Sequence, residues 1–525
     1  MARISFDKWI IVFTVISASL LQLIDTSIVN VTLTQMMGNL GATLGDISWV
    51  VTGYSAANVV MIALSGWLSA KMGRRNYFTI SIIVFTIGSI FCGTATNVWE
   101  LVAFRVLQGI GGGGLLSTAQ SILVQTFPRE EIGMANAIFG LGVIIGPTIG
   151  PTLGGYITDH LSWHWVFFVN IPFGIVATIL SLMFIEDHHE TIKTGKMDWF
   201  ALALLVMAIA FLQIVLEKGE SEDWFETRYI TLLTFFSIAA GILFIWRQLT
   251  VEHPILNLRL LKNSRFAIGT LFGFVQGFGL YASVFIIPVF CQSMLGYTAQ
   301  QTGWLLMPGS IASGIAMPIV GRILKGGKIS PVLLAGIGFS SFIVFVWMLS
   351  GMNLNTGASD FYWPLIIRGV GMGLLFIPLT TITIYELSNR DMPQGTALSN
   401  MVRQLGGSFG IAIMTTFISV RSMFHISRLS ENVTAYGQLA RERFNAAAGL
   451  FISRGDSFSS AQTKALAMMK GSVVKQALVL TYNDAFLIVG IFFVACLPLL
   501  LLFTVKKKRA KMVEHKVEMH LAELE

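Results

Sequence analysis

The stretch WFALALLVMAIAFLQIVL, residues 199–216, contains a single polar side chain, Gln213. An α-helix of about 20 apolar residues is long enough to cross the hydrocarbon core of a bilayer, which is about 30 Å thick. Because lipid offers no hydrogen-bond partners, the backbone of such a segment must bond within itself, as a helix does. The stretch therefore predicts a membrane-spanning helix.

Further apolar segments of similar length follow along the chain. They cover residues 9–34, 49–70, 77–96, 99–124, 133–157, 164–185, 228–247, 266–290, 302–321, 331–350, 362–386, 395–420 and 484–505. Their apolar residues do not alternate with polar ones, as they would in the strands of a membrane β-barrel. The sequence predicts an all-α integral membrane protein with fourteen transmembrane helices.

The composition excludes several classes of protein. Hydrophobic residues make up 54% of the chain and charged residues 12%, with a mean hydropathy of +0.72. A soluble domain carries about 25% charged residues, so an ordinary soluble enzyme and a disordered chain are both excluded. All three cysteines lie inside apolar segments or directly at the end of one, which indicates no disulfide framework.

The placement of the basic residues predicts the orientation. If both termini are cytoplasmic, most Lys and Arg side chains fall on the cytoplasmic side, whereas the short outer loops hold only Lys218 and Arg228. This asymmetry follows the positive-inside rule. The net charge of +7 is therefore a topology signal, and we expect no nucleic-acid partner.

An internal repeat divides the chain. Arg105 and the glycines after it resemble Arg368 and its glycines, and Gly133 has a counterpart in Gly395. Large transporters are commonly built from such repeats. We predict a six-helix bundle in residues 1–197, a two-helix insertion in 198–265, a second six-helix bundle in 266–505 and a basic tail in 506–525.

Few charged residues lie within the apolar segments. Asp25 and Arg105 fall at the same predicted depth, so that they can pair, and an ionisable group in lipid is usually functional. Burial raises the pKa of a carboxyl group and a nearby arginine lowers it, so Asp25 is a candidate proton carrier with Arg105 tuning it. The alternative is a static ion pair that holds two helices together. The other embedded charges are Arg368, Arg403 and Glu386.

Two glycine-rich motifs predict close helix contacts or moving parts. The first is the loop 66–75, in which Gly66, Gly73 and Arg74 stand out. The second is a run in the fifth segment, where small residues let another helix approach closely and the prolines remove backbone hydrogen bonds. Its members are Gly146, Pro147, Gly150, Pro151, Gly154 and Gly155.

These motifs resemble those of a known family. The loop 66–75, the segment 101–109 around Arg105 and the run 146–155 resemble three signatures of the major facilitator superfamily. The stretches LIDTSIVNV at 23–31 and WHWVFFVNIPFG at 163–174 resemble those of its fourteen-helix drug:proton antiporters. Ala70 stands where the family's loop has Asp, which argues against a charge relay through that loop.

The resemblance implies the major facilitator fold, with two pseudo-symmetric six-helix bundles (6+2+6) around a central cavity. It implies proton-driven export of amphipathic small molecules across a bacterial inner membrane, with protons as the coupling ion and no metal or other cofactor. Four polar residues near Asp25 are candidate substrate contacts: Gln22, Asn30, Tyr54 and Asn58.

The resemblance also implies partners outside the membrane. The polar segment 421–482 is predicted to form two helices, and we expect it to dock a periplasmic adaptor, or membrane fusion protein, that leads to an outer-membrane channel. The alternative is a lid packed on the outer surface. Two other functions remain open from the sequence: export of one native metabolite, such as a siderophore or a fatty acid, and a polytopic membrane enzyme.

Overall fold

A computed structural model of the chain describes residues 6–128, 131–186, 197–326, 329–385, 387–388, 390–434 and 436–503. Within these ranges the protein forms sixteen α-helices and no strand. The first nine are α1 Phe6–Leu40, α2 Leu44–Met72, α3 Arg74–Thr94, α4 Val98–Thr126, α5 Ile132–His160, α6 Trp165–Phe168, α7 Asn170–Phe184, α8 Trp199–Lys218 and α9 Arg228–Thr250. The rest are α10 Ser264–Met294, α11 Ala299–Lys325, α12 Pro331–Leu349, α13 Ala358–Tyr385, α14 Met392–Ser430, α15 Gln438–Ser453 and α16 Phe458–Cys496.

The helices match the predicted apolar segments. Twelve helical spans in the described chain are long and apolar enough to cross a membrane, counting α6 and α7 as one. The other two predicted segments are α4 and α5, each 29 residues long. Helix α4 contains Arg105, Gln108 and a run of glycines among its apolar residues. The all-helical membrane architecture is confirmed.

The helices on either side of the predicted loop 421–482 are longer than their apolar segments. Helix α14 continues to Ser430 and α16 begins at Phe458, so only residues 431–457 lie between them, with α15 in the middle. Hydropathy marks where the membrane ends, whereas a helix can continue into water while its residues favour helix. We call residues 421–482 the α15 hairpin.

The packing follows the repeat. In the first half α1 packs on α5 and α7, and α4 packs on α2 and α3; in the second half α10 packs on α14, and α13 packs on α11 and α12. The halves meet along two long contacts, α5 with α11 and α2 with α14. The exact domain boundaries stay a prediction, and the basic tail 506–525 lies outside the described residues.

The inserted pair α8 and α9 lies at the edge of this arrangement. Helix α8 packs on α9, on α2 and, less extensively, on α14. Helix α9 exposes large apolar side chains, among them Phe235, Ile242 and Trp246. Trp224, in the turn between the two helices, donates a hydrogen bond from Nε1 to Oγ1 of Thr416 on α14, at 3.0 Å. The insertion therefore bridges α2 and α14 while one side of it remains uncovered.

Candidate functional site

The predicted pair of embedded charges forms an ion pair in the structure. Nη1 of Arg105 on α4 lies 2.6 Å from Oδ2 of Asp25 on α1. Both side chains are buried, with exposed fractions of 1% for Arg105 and 0% for Asp25. The charges compensate each other, which removes most of the cost of placing either one in the apolar interior.

Three neutral side chains complete a network around Asp25. Its Oδ1 accepts hydrogen bonds from Nε2 of Gln108 and Nδ2 of Asn170, each at 2.9 Å. Gln108 also accepts from Nη1 of Arg105 at 2.7 Å and donates to Oγ of Ser89 at 2.7 Å. The network joins α1, α3, α4 and α7 and gives the carboxylate three donors.

Arg105 is further held by α2. Its Nε donates to the carbonyl of Val50 at 3.3 Å, and its guanidinium carbon lies 4.0 Å from the centroid of the Tyr54 ring. The glycines of α4 permit this approach, because a Cβ at Gly109 would lie 2.6 Å from the carbonyl oxygen of Tyr54. The glycine run that follows Arg105 thus positions the arginine against α2.

The ion pair was predictable because charges stand out in an apolar segment, whereas its neutral partners were not identified from the sequence. One feature of the sequence pointed to Gln108: it follows Arg105 by one helical turn, so both side chains lie on the same face of the helix. Asn170 lies in the stretch 163–174 that resembles the antiporters. Ser89 had no signal that distinguishes it from other serines in the segments.

Three of the four candidate substrate contacts lie together beside the ion pair. Nε2 of Gln22 donates to Oδ1 of Asn58 at 3.4 Å, and Oγ1 of Thr26 donates to the hydroxyl of Tyr54 at 3.5 Å. Oε1 of Gln22 and Nδ2 of Asn58 are buried without a partner in the described part of the chain. Asn30 is exposed and is not bonded to the other three. The group has an unused acceptor and an unused donor, as a polar binding site would.

The glycine motifs occupy close helix contacts. An added Cβ at Gly66 would lie 2.8 Å from Cα of Gln394 at the start of α14. Gly73 joins α2 to α3 with φ +83°. In α5, an added Cβ at Gly146 or Gly154 would lie 2.5 or 2.8 Å from side-chain atoms of α1, and Gly150 faces α1 between them. Pro151 and Gly155 lie in the same helix, Arg74 begins α3, and the side chain of Pro147 is outside the described residues.

Polar contacts join the halves near one end of the bundle, which we call the basic end because it carries Lys71, Arg74 and Arg75 where α2 meets α3. Nζ of Lys325 on α11 lies 2.6 Å from Oε1 of Glu131 before α5. Nδ2 of Asn400 on α14 donates to Oε1 of Gln120 on α4 at 2.8 Å. With the contact at Gly66, these bonds hold α4, α5 and α2 against α11 and α14, so the basic end is closed.

The other embedded arginines lie in the second half and lack a carboxylate partner among the described residues. Nε of Arg368 donates to Oγ of Ser283 at 3.1 Å, and Nη2 of Arg403 donates to Oδ1 of Asn400. The pairing of Arg105 with Asp25 is therefore not repeated at its counterpart Arg368. Glu386 lies outside the described residues.

Glu217 is a second carboxylate within a helical span, and it was not identified as such from the sequence. Helix α8 continues past the predicted boundary at 216, which places Glu217 on the helix beside Thr52 and Ser55 of α2. Its Oε1 accepts a hydrogen bond from Nε2 of Gln213 at 2.7 Å. Because the apolar run stops one residue earlier, hydropathy alone assigned this residue to the loop.

Comparison with known proteins adds to this geometry. The sequence profile of the Major Facilitator Superfamily matches residues 15–411. The Multidrug export protein EmrB of Escherichia coli (strain K12) is 33% identical over 483 residues, which cover 91% of this chain and 92% of that protein. The Fatty acid resistance protein FarB of Neisseria gonorrhoeae is 31% identical over 483 residues, covering 92% and 93%.

A solved structure shares the fold. The crystal structure of the human organic anion transporter MFSD10 (TETRAN) matches with a TM-score of 0.57 at 12% sequence identity. The match covers 93% of this chain and 99% of that one. At this level of identity the likeness concerns the arrangement of the helices and carries nothing about substrates.

Proposed function

The chain belongs to the Major Facilitator Superfamily and is a membrane transporter rather than an enzyme, and from this premise we propose that it exports amphipathic small molecules in exchange for protons. The observation that carries the proposal is the buried Asp25, the one acid in the described chain that is paired with a buried arginine. A carboxylate inside a membrane protein that can gain and lose a proton is a common element of proton-coupled transport.

The network around Asp25 suggests how a proton could drive the cycle. In the deprotonated state, the carboxylate holds Arg105, Gln108 and Asn170, and so fixes α4 and α7 against α1. A proton on Oδ2 removes the negative charge and replaces an acceptor with a donor, so the bond to Arg105 is lost. The arginine then lacks a counter-charge, which favours a conformation in which the helices move apart.

The substrate would bind next to this network. Gln22, Tyr54 and Asn58 lie on the side of α1 and α2 next to Arg105, whose guanidinium stacks on the Tyr54 ring. Movement of Arg105 after protonation would therefore disturb the same group of residues. Proton and substrate would compete because each favours a different arrangement of the site.

Relatives guide the choice of substrate class. EmrB is named for multidrug export, and we propose the same broad substrate class for this chain in a bacterial inner membrane. FarB is named for fatty acid resistance, which favours the second candidate, export of one native metabolite such as a fatty acid. Both candidates use the same proton site and differ in the breadth of substrates.

We also propose that the transporter works in a three-part pump. The α15 hairpin exposes large apolar side chains, including Tyr436 at 95%, Phe458 at 68% and Leu466 at 64%. An exposed apolar surface outside the membrane is typical of a protein contact. A periplasmic adaptor seated there, leading to an outer-membrane channel, would carry the substrate past the second membrane.

The proton role of Asp25 can be tested in lipid vesicles that contain the purified protein and have an acidic interior. We expect Asp25→Asn to abolish gradient-driven uptake of ethidium while exchange of ethidium without a gradient continues. Asp198→Asn is the matched control, since it removes a carboxylate at the start of α8, away from the network. Normal gradient-driven uptake by Asp25→Asn would overturn the proposal.

A further inference from the structure

The interface between the halves contains a buried cation without a counter-charge among the described residues. Arg403 on α14 is 6% exposed, and its guanidinium carbon lies 5.0 Å from the centroid of the Phe376 ring. Within the described chain it makes one hydrogen bond, from Nη2 to Oδ1 of Asn400. A guanidinium has five N–H donors, so most of its hydrogen-bonding capacity is unused.

The hydrogen bonds around Arg403 form a chain of donors that leads from Arg403 to Asn400 and from Asn400 to Gln120. Asn400 accepts from Arg403 and donates from Nδ2 to Oε1 of Gln120, so both ends of the Asn400 amide are occupied. The Nε2 of Gln120 is buried and has no acceptor in the part of the chain that the structure describes. The cluster thus has unused donors at both ends, on Arg403 and on Gln120. A buried positive charge with unused donors of its own, and a further unused donor on Gln120, lacks an anion.

From this arrangement, and resting on the proposed export function, we propose that Arg403 and Gln120 bind the acidic head group of an amphipathic organic anion. A carboxylate or sulfonate would accept two parallel hydrogen bonds from the guanidinium, the strongest geometry that arginine offers. The amide of Gln120 would supply a third donor from the opposite half. The anion would therefore bridge α4 and α14.

A packed apolar region lies beside the cluster. The Phe376 ring next to Arg403 contacts the Phe139 ring of α5, with the two centroids 6.2 Å apart. An added Cβ at Gly140 would lie 2.8 Å from the Phe376 ring and 3.1 Å from Met317 on α11. Aromatic rings and methionine adapt to ligands of different shape. The polar cluster therefore borders a packed apolar region, whose side chains would have to rearrange to hold the rest of the molecule.

This site is separate from the proton site. Arg105 and Gln120 lie fifteen residues apart on α4, which corresponds to about 22 Å along a helix. The cluster lies near the basic end, where α4 and α14 are in contact, whereas Asp25 lies toward the opposite end. Because opening of the basic end would separate Gln120 from Asn400, the affinity for the anion should depend on the conformation.

The test compares an anionic and a cationic dye in vesicles of phosphatidylcholine that contain the full-length protein and have an acidic interior. The probes are 8-anilinonaphthalene-1-sulfonate and ethidium. We expect Arg403→Gln to raise the sulfonate concentration for half-maximal uptake about tenfold or more, and to change that for ethidium less than twofold. Arg403→Lys should keep part of the sulfonate affinity, because it restores the charge without the planar fork.

Arg368→Gln is the matched control, since it removes a buried positive charge from the same half at a site bonded to Ser283. It should leave the ratio of the two dyes unchanged. Equal loss of both dyes in Arg403→Gln would overturn the proposal and identify the cluster as a contact that merely closes the basic end. Displacement of the sulfonate by added phosphatidylglycerol would also overturn it, because the site would then hold a lipid head group.

Equilibrium binding separates this inference from the proposed function. If the wild-type protein took up neither dye under the gradient, the export proposal would fail, yet binding of the sulfonate to purified protein could still be measured by its fluorescence. Weaker binding to Arg403→Gln than to wild type would support the anion site by itself. Identical binding to the two proteins would refute it.

Discussion

Substitution of Gly66 by alanine should open the basic end of the transporter. The added Cβ would lie 2.8 Å from Cα of Gln394, 2.9 Å from the carbonyl oxygen of Pro393 and 3.2 Å from Cβ of Ala397. The first two are backbone atoms, which cannot rotate away as a flexible side chain can. Helices α2 and α14 must therefore separate by several tenths of an ångström, or the contact is lost.

The size of the effect follows from the cost of overpacking. An extra methyl group in a tightly packed interior costs about 1–3 kcal/mol. The contact exists only while the basic end is closed, so the cost falls on one conformation and shifts the population toward the open one by about 5- to 150-fold. The shift should persist in the absence of substrate.

Pulsed electron paramagnetic resonance can measure this shift. Spin labels on cysteines introduced at Lys71 and Arg390, both exposed, report the distance across the basic end. Gly38→Ala is the matched control, because its Cβ would meet nothing within 4 Å. We expect a longer distance to gain population in Gly66→Ala and not in Gly38→Ala. An unchanged distance distribution in Gly66→Ala would refute the reasoning.

Three further predictions concern other parts of the protein. Gln108→Leu removes a donor to Asp25 and should lower gradient-driven ethidium uptake about tenfold, since hydrogen bonds to charged groups contribute about 1.5–3 kcal/mol; an unchanged rate would show that the ion pair acts alone. Burial raises the pKa of Asp198, but the backbone N–H of the α8 cap and the Arg247 guanidinium outweigh it and hold the pKa below its usual value. The Asp198 carboxylate therefore stabilises α8 above about pH 4, and this stabilisation is lost as the pH falls through the lowered pKa. Asp198→Asn should lower the stability of α8 by about 0.3–1 kcal/mol and remove its dependence on pH. Amide hydrogen exchange in α8 would measure both effects. Tyr436→Ser should weaken capture of a periplasmic adaptor without changing dye uptake in vesicles, and unchanged capture would exclude this residue from the docking surface.

The charged part of the site could be predicted from the sequence because a charge in an apolar segment is conspicuous. Asp25 and Arg105 were assigned to one depth by counting residues from the helix ends, and the structure brings them to 2.6 Å. Which neutral side chains join them depends on the rotation of each helix about its axis. That rotation is set by packing among several helices, so Ser89 and Gln108 could be assigned only once the helices were placed.

Hydropathy located the spans but not the ends of the helices. Hydropathy describes how readily side chains transfer from water into lipid. It does not describe where the backbone stops being helical in water. For this reason α8 extends to include Glu217, and α14 and α16 extend into the α15 hairpin. The repeat likewise predicted two six-helix bundles, but not the free donors of Arg403, because those depend on which partners lie near the guanidinium in the folded protein.

The length of α14 has a mechanical consequence. Its 39 residues correspond to about 58 Å of unbroken α-helix, which begins against Gly66 at the basic end and reaches the α15 hairpin, where Arg421 pairs with Asp484 of α16. A tilt of about 10° around Arg403 would displace Ser430, about 40 Å away, by about 7 Å. Helix α14 would then act as a lever arm, and an adaptor, if seated on the hairpin as proposed, would be pushed each time the basic end opened and closed. Force, rather than a bound ligand, would synchronise the two sides of the membrane.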